Sequence, residues 1–186
     1  MESWVERTEV FSGPIFRVFS GQARLADGQT ARRDMVAHRG GVGVVPIHEG
    51  KVLLVRQFRL AAGREMLEIP AGLLEPGEAP EETAARELAE ELGYRAGRLV
   101  PLIAYHTSPG FTDEQTHIFL ALDLQPATGV QDWDERLSPE ERRLAELPAA
   151  LAAGEFVDGK TLIGLYSTLA WLGRHDEALH EPGASS

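Results

Sequence analysis

Cysteine is absent from the chain, which excludes disulfides, thiolate metal sites and cysteine nucleophiles and fits a cytoplasmic protein. No apolar run approaches the roughly 20 residues that a membrane helix needs, so no membrane partner is expected. Positive charge is scarce: 18 lysines and arginines face 29 aspartates and glutamates, a formal net charge of −11. Binding along a nucleic-acid backbone depends on basic side chains, so no nucleic-acid partner is expected either. A small anionic substrate stays open, because metal ions and a few local arginines can reverse the field inside one cleft. Internal repeats and low-complexity linkers are missing. The opening residues, MESWVERTEV, are too acidic and mixed for a signal peptide.

The 186 residues are 43% hydrophobic and 25% charged, which suits one domain with a core, or one domain carrying an arm. Short strands are expected at Val5–Phe11, Ile15–Phe19, Gln22–Leu25 and Thr30–Ala37, with turns at Ser12-Gly13-Pro14 and at Ala26-Asp27-Gly28. The Asp-Gly pair is that of a tight hairpin. An antiparallel arm of this size buries little alone, and a second copy of the chain is its simplest partner. Further strands are expected at Val42–Pro46, Lys51–Phe58, Met66–Ile69, Leu99–Thr107 and Gln115–Leu124. Ser138-Pro139-Glu140-Glu141 has the chemistry of a helix start. Leu147–Ala153 reads as a short helix closed by Gly154. A final helix starts at Asp158 or Thr161, with Leu162, Ile163, Leu165, Tyr166, Leu169 and Leu172 as its apolar stripe. This order of elements suggests an α/β protein, an α/β/α sandwich around a mixed sheet.

The most informative stretch runs from Gly72 to Tyr94. Pro80 suits the first helical position, acidic residues crowd the first turn and Gly93 suits the C-terminus. Steps of three and four residues put Glu87, Glu90 and Glu91 on one face, with Ala85, Leu88 and Leu92 turned to a core. Arg86 stands four residues before Glu90 and can pair with it. A glutamate face is by default a solvated one. If partly enclosed, the same carboxylates need a divalent cation, and an oxygen-only cluster suits magnesium or manganese.

The stretch resembles the Nudix box, G-x5-E-x7-R-E-U-x-E-E-x-G-U with U an aliphatic residue. Gly72, Glu78, Arg86, Glu87, Leu88, Glu90, Glu91 and Gly93 match in register, and Tyr94 departs at a packing position. The likeness extends over nearly the whole chain and is to the ADP-ribose pyrophosphatases, or ADP-sugar diphosphatases. Their marker is a proline 16 positions after the last box glycine, and Pro109 stands 16 after Gly93 within SPGFTDE; VLLVRQFR (52–59) and LEIPAGLLEPGE (67–78) are also typical. The resemblance implies the Nudix-type α/β/α sandwich with a β arm at residues 1–38, exchanged in a homodimer, and a hydrolase domain at 39–178; residues 179–186 are expected to form a flexible tail. It implies Mg²⁺-dependent hydrolysis of a nucleotide-sugar diphosphate, ADP-ribose to AMP and ribose 5-phosphate.

Residue by residue, the resemblance makes the Ala71 carbonyl, Glu87 and Glu91, with Glu90 beside them, the metal ligands. Glu78 supports the site and Arg86 orients the glutamates. Arg59 contacts the phosphates, or is only a surface strand residue. Arg32 and Asp34 meet the nucleoside, or form a local ion pair. Ile15 covers the adenine from the partner subunit. Ser108, Pro109 and Glu114 belong to a substrate-holding loop. The general base of the family comes from an acidic loop, here Asp132-Trp133-Asp134-Glu135. Alignment suggests Asp132 as base and Asp134 as accessory metal ligand, both shorter by a methylene than the usual glutamates, with Glu135 as a substitute base. The resemblance also implies a strand after this loop, where the residues alone suggest a helix start. Two alternatives remain: a pyrophosphatase for another nucleotide sugar, such as GDP-mannose or ADP-glucose, and a Nudix-fold sensor that binds ADP-ribose without turnover. The intact box weighs against the sensor, and the missing SQPWPFP-type element weighs against NADH pyrophosphatases.

Overall fold

The computed structural model describes residues 1–129 and 136–179. Its elements are β1 (Ser3–Ser12), β2 (Phe16–Arg24), β3 (Thr30–His38), β4 (Gly41–His48), β5 (Lys51–Arg59), β6 (Arg64–Glu68), β7 (Ala71–Leu73), α1 (Pro80–Leu92), β8 (Tyr94–Arg95), β9 (Arg98–His106), β10 (Gln115–Leu122), β11 (Gln125–Pro126), β12 (Ser138–Arg143), α2 (Leu147–Ala152) and α3 (Gly159–Leu179).

The central sheet is mixed, in the order β12-β5-β4-β10-β9, with β6 added to β5 and β7 to β4. Strands β4 and β10 run parallel, and the other pairs in the sheet are antiparallel. Because side chains alternate across a strand, β4 sends Val42 and Val44 to one face and Val45 to the other. The first face packs with Ala84 and Leu88 of α1, and the second with Leu147, Leu151 and Leu165 of α2 and α3. Each fully buried leucine here contributes on the order of 2 kcal/mol. The result is the expected α/β/α sandwich.

The arm is a separate antiparallel sheet, β1-β2-β3. The expected break between Phe19 and Gln22 does not occur, and β2 runs straight through Ser20-Gly21. A Cβ at Gly21 would lie 2.1 Å from the Glu6 carbonyl oxygen, so this glycine marks a close approach of β1 rather than a turn. The hairpin at Asp27-Gly28 is longer than a two-residue turn: Leu25 and Gln29 close it, and Gly28 takes φ +87°. The Val36 N–H donates to the Phe111 carbonyl at 2.7 Å and the His38 N–H to Asp113 Oδ1 at 2.8 Å, stitching β3 to the loop before β10.

The Ser138 segment is a strand, as the resemblance implies, and not a helix start. It is an edge strand, where Pro139 removes no needed N–H, and its Glu140 and Glu141 pair with Arg56 and Lys51 of β5. In α3, Asp158 caps Thr161, and Tyr166 leaves the expected stripe for the surface. No helix among the described residues is long and apolar enough to cross a membrane.

Candidate active site

Helix α1 begins at Pro80, and the Ala79 N–H donates to Glu82 at 2.8 Å, half of a capping box. It ends at Gly93 with φ +69°. The buried arc is Thr83, Ala84, Glu87, Leu88 and Glu91. Ala84 therefore takes the core position expected of Ala85, which is exposed. Tyr94 packs against the same core, so its departure from an aliphatic leaves the packing role intact. Glu87 and Glu91 are buried rather than solvated, because this arc turns toward the β4–β7 backbone.

Arg86 organises the carboxylates. It donates to both oxygens of Glu78 at 3.1 Å, to Glu87 at 2.7 Å, to Glu90 at 3.0 Å and to the Leu73 carbonyl at 3.3 Å. The bonds from Arg86 and Thr83 hold the Glu78 carboxyl down at about 2. Arg86 is in turn raised above the usual guanidinium range by its bond to Glu78. Gly72 lies against Glu87: a Cβ there would sit 1.7 Å from Glu87 Oε1. The carboxylate is thus packed onto the chain at Ala71-Gly72.

These groups open into a cleft of about 490 Å³ lined by Ala71, Gly72, Arg86, Glu87 and Glu90 together with Arg59 and Lys160. Ile15, His38 and Glu114 also line it. Glu114 accepts from Thr107 Oγ1 at 2.6 Å and lies 3.6 Å from His38 Nδ1. Arg59 makes a two-pronged bond to Glu68, at 2.8 and 2.7 Å. Burial pushes the Glu68 carboxyl up, but Arg59 and Lys160 outweigh it and hold it below the usual range.

Among the described residues, no three His, Cys, Asp or Glu side chains converge into a ready metal cage, and Glu87 and Glu90 point their oxygens at Arg86. The donor chemistry fits a hard divalent cation even so. Every candidate ligand is an oxygen, and the Glu87 carboxylate is in contact with the backbone that carries the Ala71 carbonyl.

Other expected residues fall elsewhere. Asp34 and Pro109 line a second cleft of about 430 Å³, between the arm and the loop before β10. Arg32 lines neither cleft; it stands 3.6 Å from Asp34, with both side chains more than 60% exposed. Ser108 lines neither, and its carbonyl closes the turn to Phe111 and Thr112. Asp132, Asp134 and Glu135 lie outside the described residues, as does the tail from His180. Sequence reasoning missed His38, Glu68 and Lys160. A detectable signal existed for Glu68, a lone carboxylate in the otherwise apolar run Met66–Pro70.

A family model described as the NUDIX domain matches residues 37–160. The chain is 39% identical over 163 residues to the ADP-ribose pyrophosphatase of Bacillus subtilis (strain 168), covering 86% of this chain and 88% of that protein. It is 38% identical over 168 residues to the methanol dehydrogenase activator of Bacillus methanolicus, covering 88% and 90%. A crystal structure of an ADP compounds hydrolase superposes with a TM-score of 0.85 at 25% identity, over 94% of this chain and 95% of that one. Since the model spans most of the chain and the relatives match along nearly their whole length, the chain belongs to the Nudix family.

Proposed function

We propose that the chain is a Mg²⁺-dependent hydrolase that splits the diphosphate of ADP-ribose into AMP and ribose 5-phosphate. The observation that carries this reading is one cleft lined both by carboxylates that Arg86 organises, Glu87 and Glu90, and by the cations Arg59 and Lys160. An anion with two linked phosphates complements such a cleft once a cation sits on the carboxylates. The choice of ADP-ribose is supported by the Bacillus subtilis relative, described as an ADP-ribose pyrophosphatase, and by the structural match, described as an ADP compounds hydrolase.

In this reading Ala71, Glu87, Glu90 and Glu91 hold the cation, with Asp134 as an accessory ligand. Bound there, magnesium would neutralise diphosphate charge and lower the pKa of a water. Arg86 keeps Glu87 and Glu90 aligned, and Glu78 keeps Arg86 in place. Arg59 grips the phosphates, while Asp132, or Glu135 in its stead, takes the proton of the attacking water. Glu114 holds the substrate in the same cleft, and Ser108 and Pro109 would act by shaping the loop that carries it. Water adds across one P–O bond, the bridging oxygen leaves with the other phosphate, and the base later returns its proton.

We further propose a cytoplasmic homodimer in which each arm, residues 1–38, reaches across to the partner's hydrolase domain, residues 39–178. Arg32, Asp34 and Ile15 would then meet the nucleoside at the subunit boundary. The exposed apolar side chains of the arm, Val5, Val10, Phe11 and Ile15, support a covering partner.

The test is incubation with Mg²⁺ and a panel of ADP-ribose, ADP-glucose, GDP-mannose and NADH, with products identified by mass spectrometry. ADP-ribose is expected to give the highest kcat/KM. Faster turnover of GDP-mannose would reassign the substrate, and no turnover of any of them would remove the hydrolase reading.

A further inference from the structure

We propose that Lys160 is a second cationic contact for the substrate's diphosphate, beside Arg59, with Glu68 and Asp158 holding the two cations in the cleft. The inference rests on the hydrolase reading above and adds a residue that the Nudix box does not contain.

Lys160 sits in the first turn of α3, where the helix dipole disfavours a cation. Local rules broken in this way mark positions where something else is gained. It is also one of only two lysines among the 18 basic residues, the other being Lys51, so an ammonium here is not a default of composition. Its Nζ donates to Glu68 and, at 2.9 Å, to Asp158.

Glu68 anchors the arrangement. It is 1% exposed, and a buried carboxylate requires partners. A single carboxylate receives both Arg59 and Lys160, which forces the two cations together at one wall of the cleft. The Arg59 side chain is 40% exposed and that of Lys160 16%, so both reach the opening.

Donor counting shows what is left over. An ammonium has three N–H donors, and Lys160 gives one each to Glu68 and Asp158, leaving one. A guanidinium has five, and Arg59 gives two to Glu68, leaving three. Glu87 and Glu90, where the cation is proposed, line the same cleft. A diphosphate in this cleft would meet the carboxylate-held cation and these unused N–H groups together. Because the cations are already fixed, little side-chain entropy is lost on binding.

A purely structural role is the competing account. The segment Asp158–Thr161 also ties α3 to the chain before Ala71, through the Ile69 N–H donating to Thr161 Oγ1 at 3.0 Å. Thr161→Val cuts that tie and the bond that Thr161 Oγ1 donates to Asp158 at 2.7 Å, but the Thr161 N–H still holds Asp158 at 3.0 Å and Glu68 still receives both cations, which separates the two accounts.

The experiment measures kcat and KM for ADP-ribose, and the Ki of inorganic pyrophosphate, in wild type, Lys160→Gln, Lys160→Arg and Thr161→Val, with thermal unfolding of each. Lys160→Gln is expected to raise KM and the pyrophosphate Ki together by about tenfold, the loss of one charge-assisted bond, with kcat lowered by less than about threefold. Lys160→Arg is expected to recover most of the loss. Thr161→Val is expected to lower the unfolding temperature while KM stays within about twofold. If Lys160→Gln does not fold, Lys160→Met carries the same comparison. An unchanged KM and Ki in Lys160→Gln, or the same rise in Thr161→Val, overturns the inference. Absence of turnover in the wild type would instead contradict the hydrolase reading.

Discussion

Arg86 is the residue on which the geometry of the site turns, since its guanidinium reaches Glu78, Glu87, Glu90 and the Leu73 carbonyl at once. Its anchor, Glu78, has a measurable signature. The folded carboxyl is depressed from 4.5 to about 2, so its stabilising contribution is complete above about pH 4.5 and is lost as pH falls toward 2. Glu78→Gln is expected to flatten the acid limb of the stability curve. Urea unfolding at about pH 5 and at about pH 3 should show a smaller difference for the variant than for wild type. Equal differences would mean that Glu78 gains nothing from Arg86. Local pairs of this kind were legible from spacing, because Arg86 and Glu90 are four residues apart on one helix. The Glu68–Lys160 pair was not, because the partners are 92 positions apart and only the packing of α3 on the sheet brings them together.

Among the elements, α1 was the most legible, with its limits set by Pro80 and Gly93 and its register by the box. Its rotation was harder to read. Ala84 and Ala85 are equivalent in propensity, and only the contact with β4 decides which is buried. Strand β12 shows the opposite case. Its local chemistry, Ser-Pro-Glu-Glu, favours a helix start, and pairing with β5 overrides it. Gly21 falls where the sequence suggests a break, and is instead a point where the neighbouring β1 backbone comes too close for a side chain. The same kind of close approach gives a test of the metal side. Gly72→Ala places a Cβ 1.7 Å from Glu87 Oε1, so the carboxylate must move. The expected outcome is a folded protein whose half-saturating Mg²⁺ concentration rises by about 10- to 100-fold. Titrating activity with Mg²⁺ checks this, and an unchanged midpoint would separate Glu87 from the metal.

At the scale of the whole molecule, the sandwich was readable because both faces of β4 and β10 are apolar and helices are available to cover each, α1 on one and α2 with α3 on the other. The arm poses the remaining structural question. Nearly all of β1 is exposed, including Val5, Val10 and Phe11. Sedimentation is expected to give twice the 20.3 kDa chain mass, and Val10→Asp with Phe11→Ser is expected to halve it and raise KM for ADP-ribose. A wild-type monomer with full activity would exclude the partner's arm from the site.

The central claim, that this cleft hydrolyses ADP-ribose on carboxylate-held Mg²⁺, is tested most directly by one comparison. AMP and ribose 5-phosphate are measured in wild type and in Glu91→Gln at saturating Mg²⁺ and ADP-ribose. The account predicts equal amounts of both products from the wild type, and a kcat lower by at least about 100-fold in Glu91→Gln with the affinity for ADP-ribose little changed. Intact ADP-ribose recovered from the wild type, or a Glu91→Gln rate equal to wild type, would contradict it.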